Sequence, residues 1–246
     1  LVISEAVKSK FPARQRRRYA AKFRTVTNGI DPAAIDAASA DRPRFGLASD
    51  DFVLLTAGTV THRKGVDRLL TVLPDLVHAV PNAVLAVAGE PAGDEDRKYA
   101  ASLPNRNHPA VRWLGQRDDL PILMKSCDLF CLPSRTEGMG RVLVEAMFAS
   151  RPCIGSRAGG IPEVIVDGET GLLFDGEDRE DLLRSRIVLA NDPDRRRRMG
   201  EAGRSRAETQ FHGPTQIAKV VSEILALAEA NPDATGPRRP AATAVQ

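Results

Sequence analysis

The chain has 246 residues, of which 42% are hydrophobic and 27% charged, and a formal net charge of +3. That balance suits a globular protein with one substantial core, and the small net charge with only 4% aromatic residues argues against a nucleic-acid surface of interleaved cations and rings. No apolar run approaches the roughly 20 residues of a membrane-spanning helix, and Cys127, Cys131 and Cys153 lack CxxC spacing and read as buried free thiols in a reducing compartment.

Leu1-Val2-Ile3 opens without a methionine or a signal-peptide pattern, so we expect it to be internal to a longer chain. Residues 1–25 are basic, with Lys8, Lys10, Arg14, Arg16, Arg17, Arg18, Lys22 and Arg24 against Glu5. They offer either a solvated helix face or an electropositive surface for anionic lipid or a polyanionic acceptor. Asn28-Gly29 signals a turn, and Asp31-Pro32 starts the next segment. Residues 51–59 form a hydrophobic strand that ends at Gly58, followed by Thr59. Leu69, Leu70, Leu73, Leu76, Val77 and Val80 recur at helical spacing and predict a helix over 65–80. Arg63 and Lys64 therefore stand at the carboxyl end of a strand just before a helix, where open α/β sheets bind ligands. A forked guanidinium beside a compact ammonium suits a diphosphate.

Residues 83–89 predict the next strand, 96–103 a short helix, and 111–115 a third strand with Gln116 and Arg117 at its end. Trp113 reads as a core residue. Residues 118–126 form an amphipathic helix that leads into the apolar run Leu129–Leu132, a buried strand. Then comes the stretch around which the chain is organised: a loop with Gly138 and Gly140, and a helix over 141–149 rich in helix formers. A strand, a glycine turn and a helix start make an anion-binding device, because the free amides and the helix dipole favour negative charge. Glu137 precedes the turn, and Glu145 lies roughly 7 Å along the helix from Gly140. A phosphate would repel both, so each suits a hydroxyl group flanking the phosphates.

A strand over 151–156 follows, then Gly159-Gly160-Ile161-Pro162-Glu163 with proline early in a short helix, and a turn and strand over 168–174. Helices are predicted over 178–189, 193–211 and 216–229, with Arg195 to Arg198 as a solvated face. Residues 231–246 are rich in Pro, Ala, Thr and Arg and are expected to be disordered. This alternation predicts an α/β fold, a doubly wound, Rossmann-like parallel sheet. Gly58-Thr59-Val60-Thr61-His62-Arg63 is not G-x-G-x-x-G, which counts against a dinucleotide-binding domain. No cluster with metal-ligand spacing is present.

Glu137, seven residues, then Glu145 resembles the Glu-x7-Glu motif of retaining glycosyltransferases of the family 4 type, the glycosyl transferases group 1. Thr25–Pro32, Lys64-Gly65, and Gly159–Glu163 with Asp167–Phe174 resemble further family segments in the same order, so the likeness spans about 25–211. It implies the carboxy-terminal half of a two-domain GT-B fold. Residues 1–31 would be the end of the amino-terminal domain and linker, with the acceptor-binding domain outside this chain. Residues 32–211 would bind the nucleotide sugar, 212–230 would be the returning carboxy-terminal helix, and 231–246 the tail. The resemblance further implies that Glu137 contacts the donor sugar and Glu145 the ribose hydroxyls. Gly138, Met139, Gly140 and Val142 would line the sugar and diphosphate, with Met139 in place of the usual phenylalanine. Lys64 and Arg63 would hold the diphosphate, beside Gly58 and Thr59; many relatives carry arginine where Thr59 stands, so Arg63 supplies that charge. Arg117 would lie near the base. The catalytic set is thus Glu137, Lys64 and Arg63, with no metal and no cofactor, the nucleoside-diphosphate sugar being the donor substrate. The implied partners are that donor, a glycan, lipid-linked or small-molecule acceptor, and an anionic membrane met peripherally through the basic segment, with no nucleic acid. The expected place is cytoplasmic, at the inner face of the membrane. The alternatives are a nucleotide-sugar epimerase or glycogen-type synthase on the same fold, or a non-catalytic dinucleotide-binding domain.

Overall fold

The computed structural model describes residues 2–20 and 23–229. Its strands are β1 (Phe52–Ala57), β2 (Ala83–Ala88), β3 (Val111–Gly115), β4 (Leu129–Leu132), β5 (Cys153–Ser156) and β6 (Gly171–Phe174). Its helices are α1 (Glu5–Ser9), α2 (Ala13–Arg18), α3 (Ala33–Asp36), α4 (Val66–Ala79), α5 (Asp94–Ala101), α6 (Leu120–Ser126), α7 (Arg141–Phe148), α8 (Ile161–Val164), α9 (Arg179–Asn191), α10 (Pro193–Gln210) and α11 (Gly213–Glu229). All strand pairs are parallel, in the order β3-β2-β1-β4-β5-β6. The expected doubly wound α/β sheet is therefore present.

The sheet is covered on both sides, which explains why β1, β2 and β4 are continuous apolar runs. Side chains alternate between the two cores. Val53, Leu55 and Phe130 join Leu143, Met147 and Phe148 of α7 on one face. Leu54, Leu85 and Leu129 join Leu69, Leu70, Leu73 and Leu76 of α4 on the other. The chain builds outward through β1, β2 and β3, then returns to lay β4 on the far side of β1. That reversal opens a crevice at the carboxyl ends of β1 and β4, the place where such sheets bind ligands.

Three expectations need correction. Trp113 is not core: β3 is an edge strand, the residue is 39% exposed, and its indole N–H donates to Arg106 O at 2.9 Å. Arg195–Arg198 is not wholly a solvated face. Arg196 donates to the last carbonyls of α9, Leu189 O at 2.5 Å and Ala190 O at 2.8 Å, and stacks over Phe52. The final helix starts at Gly213, because its amide donates to Ile30 O at 2.8 Å while Ile30 N bonds Phe211 O. The predicted disordered tail lies outside the described residues. All three cysteines are buried and free, as expected, and burial pushes the Cys127 thiol up to about 12.

Candidate functional site

Two connections meet in the crevice. After β1, the chain turns through a short 3-10 segment, His62–Lys64, whose start is capped by the Thr61 hydroxyl accepting from Lys64 N at 3.2 Å. Gly65 ends it at φ 72°, and a Cβ there would lie 2.2 Å from Pro133 O, so only glycine lets this turn seat against the connection after β4. The contact is stapled by Arg135, whose amide donates to Arg63 O at 2.8 Å and whose guanidinium donates to His62 O at 2.8 Å. Asp67 holds that guanidinium through both carboxylate oxygens, at 2.8 and 2.7 Å, and also accepts from the Tyr99 hydroxyl. Burial pushes the Asp67 carboxyl up, but the bonds from Arg135 and Tyr99 outweigh it and hold the group below the usual carboxylate range.

This stapling brings together residues 73 positions apart. Lys64 Nζ donates to Glu137 Oε2 at 2.6 Å, and the two side chains are only 17% and 13% exposed. The buried Ser134 hydroxyl donates to the same oxygen at 3.2 Å. The guanidinium of Arg63 stands 3.8 Å from Glu137 Oε1 at the rim and is half exposed. The candidate diphosphate lysine and the candidate sugar carboxylate thus neutralise each other.

Beyond Glu137 the chain passes Gly138 and the buried Met139 to Gly140, whose φ of 80° starts α7. Among the described residues no side chain caps that helix start, so its first amides face the crevice with the positive end of the dipole. Glu145 is one turn further along. It is half buried, and among the described residues its carboxylate has no hydrogen bond or ion pair. Burial pushes its pKa up, against the pull of the Arg141 charge. A half-buried carboxylate with unused lone pairs is a hydroxyl acceptor waiting for a donor.

Lys64, Glu137, Gly138, Met139, Gly140, Val142 and Glu145 line one cavity of about 450 Å³. Gly58, Thr59 and Arg117 line a second, of about 520 Å³, with Glu90 and Gln116. The two share Ala57, Gly58 and Leu120, so they form one groove along the carboxyl edge of the sheet. Of the site residues singled out in the sequence, only Arg63 lies off the walls. Arg117 is committed to Asp119 by two bonds, 2.7 and 2.6 Å, and stacks over Phe45, so it presents an edge to the groove in a fixed orientation. Among the described residues no group of three or more His, Cys, Asp or Glu is placed to hold a metal ion. Sequence reasoning missed Ser134, Arg135, Asp67 and Tyr99, which hold the groove's side chains and turns in place, and Ile3, which closes one side of the first cavity. Only Ser134 and Arg135 carried a signal, by lying inside the central loop.

The sequence model of the family described as Glycosyl transferases group 1 matches residues 38–206. The chain is 33% identical over 198 residues to a GDP-mannose-dependent alpha-(1-6)-phosphatidylinositol monomannoside mannosyltransferase of Mycolicibacterium smegmatis, covering 77% of this chain and 51% of that protein. It is 31% identical over 222 residues to a glycogen synthase of Mycobacterium tuberculosis, covering 89% and 52%. The chain thus spans about half the length of the curated relatives it matches. In fold it resembles Anabaena HepE, solved in complex with UDP and glucose, with a TM-score of 0.79 at 21% identity over 92% of this chain and 62% of that one. The six-stranded parallel sheet is the one found in GT-B glycosyltransferase structures. With its family match running from before β1 into α10, through the connections after β1 and β4 that meet in the groove, this chain belongs to the Glycosyl transferases group 1 family.

Proposed function

We propose that this chain is the donor-binding half of a retaining glycosyltransferase of the family 4 type, moving a sugar from a nucleoside-diphosphate sugar to a glycan, lipid-linked or small-molecule acceptor. The observation that carries this reading is the pairing of Lys64 with Glu137 beside the uncapped start of α7, with the unpartnered Glu145 in the same cavity. In this reading the diphosphate takes Lys64 from Glu137 and lies on the first amides of α7, with Arg63 closing over it from the rim. Lys64, Arg63, the amides and the helix dipole then stabilise the charge that develops on the diphosphate as the sugar leaves. Glu137, released from Lys64, accepts from a sugar hydroxyl, and Glu145 accepts from the ribose. Gly58 and Thr59 floor the groove toward Arg117, where the base lies. No metal and no cofactor enter this mechanism; the nucleotide sugar is a substrate. GT-B centres lie between two domains, so this chain alone is expected to bind a donor weakly and to transfer no sugar.

The basic segment extends the reading. Arg14, Arg16, Arg17 and Arg18 are all exposed on and beside α2, flanked by the exposed rings of Phe11 and Tyr19, a combination that suits the anionic inner face of a membrane. Among the described residues no helix is long and apolar enough to cross one. In this reading the basic segment meets the membrane peripherally, from the cytoplasmic side. Saturation-transfer NMR of the chain with UDP-, GDP- and ADP-sugars tests the donor reading. Transfer to base, ribose and sugar protons of one class supports it; no transfer from any of them, with transfer from a nicotinamide dinucleotide instead, refutes it.

A further inference from the structure

The sugar end of the donor groove is not built by the sheet alone. The carbonyls of Glu137 and Gly138, at the turn that carries the sugar carboxylate, are each bonded from a different side. Gly160 N donates to Glu137 O at 3.1 Å, from the start of α8. Ser4, at the amino-terminal end of the chain, donates its hydroxyl to Gly138 O at 2.8 Å and is 1% exposed. A Cβ at Gly160 would lie 2.1 Å from Gly138 O, so the turn is pressed onto the glycine pair with no room for a side chain. Ile3 packs over Gly138 from the other side and lines the cavity that holds Lys64 and Glu145.

The segment that delivers Ser4 is tied to the same place by Glu163. Its two carboxylate oxygens accept from the first amides of α1, Glu5 N at 3.0 Å and Ala6 N at 2.8 Å, across 158 and 157 positions. Ser4 completes the cap by accepting from Val7 N at 3.1 Å. Glu163 is itself anchored, because Arg206 of α10 donates to Glu163 O and Val164 O, both at 2.9 Å. The pentapeptide α1 is too short to persist unaided. Its position is set by Glu163, and it in turn sets Ser4.

We propose that Ser4 and Glu163 are positioning residues for donor-sugar binding: they clamp the Glu137–Gly140 turn between the segment before α1 and α8, so that sugar binding depends on where that segment sits. The proposal rests on the donor-site reading above. Its consequence is that a movement of the segment before α1 reaches the turn that carries the sugar carboxylate through one hydroxyl and one carboxylate, while the backbone turn that carries Lys64 is held separately by Arg135.

The test uses the 246-residue chain as wild type, Ser4→Ala and Glu163→Gln. Calorimetry is run with UDP-glucose, GDP-mannose and ADP-glucose, each beside its free diphosphate, and amide exchange is followed at Gly160, whose N–H is bonded to Glu137 O. In both variants the sugar nucleotide that binds is expected to lose about three- to tenfold in affinity, the worth of one or two hydrogen bonds, while its diphosphate stays within about twofold. Exchange at Gly160 should quicken in both. Equal losses for sugar nucleotide and diphosphate, or an unchanged ratio with unchanged exchange, would overturn the proposal. If the wild type binds none of the six ligands, the donor-site reading falls, and the exchange data alone decide whether Ser4 and Glu163 hold the turn. Should Ser4→Ala fail to fold, Glu163→Gln, at a partly exposed side chain, carries the same comparison.

Discussion

Glu137→Gln separates the two roles that the proposed function gives to one ion pair. Lys64 and Glu137 meet at 2.6 Å with both side chains mostly covered, so in the proposed reading a diphosphate displaces the carboxylate from Lys64. Exposed ion pairs are worth up to about 1 kcal/mol; this one, partly desolvated and reinforced by Ser134, is placed at about 1–2 kcal/mol. The substitution keeps the shape of the side chain and removes the competing charge. Free nucleoside diphosphate should therefore bind up to about five- to thirtyfold more tightly. The sugar nucleotide gains the same release of Lys64 but loses a hydroxyl-to-carboxylate bond of roughly 1.5–3 kcal/mol. The release cancels in the ratio of the two affinities and the lost bond does not, so that ratio should fall roughly ten- to hundredfold. Calorimetry with both ligands on both proteins reads it directly. A fall in diphosphate affinity for Glu137→Gln, matching the fall for the sugar nucleotide, would refute the reasoning, because Glu137 would then serve the diphosphate end.

Lys64→Ala should cost the diphosphate about ten- to hundredfold while leaving the bare nucleoside unchanged, as titration of the pair that binds will show. Glu145→Gln should weaken diphosphate and sugar nucleotide alike, and it should also raise the melting temperature at pH 7. The folded-state pKa of Glu145 lies above its ordinary value of 4.5, so its charge costs stability at neutral pH; thermal melts across pH should show the gain from glutamine fading as pH falls through the raised value toward 4.5. Gly65→Ala forces a side chain into a left-handed turn and against Pro133 O, and is expected to lose at least about 2 kcal/mol, or roughly 4–8 °C in melting temperature, an undisturbed melt being the contrary result. Reversing Arg16 and Arg17 to glutamate should abolish sedimentation with vesicles of anionic lipid and leave sugar-nucleotide affinity intact; equal sedimentation of variant and wild type would remove the membrane contact from the proposed function.

Periodicity and composition determined the elements, because they depend on neighbours a few residues away. The short apolar runs of β1, β2 and β4 between turn signals read as strands buried on both faces, and the leucines of α4 repeat at helical spacing. The glycine turn before α7 was legible for the same reason, since its glycines and its two glutamates lie within one short stretch. What the tertiary structure alone decided is which groups meet. Lys64 and Glu137 touch because β4 is laid beside β1 rather than beside β3, an outcome of strand order that no local pattern encodes. Trp113 is exposed because β3 has a neighbour on one side only, and an apolar side chain cannot announce in sequence how many strands will flank it. Ser4 reaches Gly138 across 134 positions through one hydrogen bond, and Glu163 reaches Glu5 and Ala6 across 158 and 157 through two, with partners chosen by packing. Hydrogen bonds are short-ranged in space and blind to distance along the chain, so the sequence determines which groups are available and the fold determines which of them are paired.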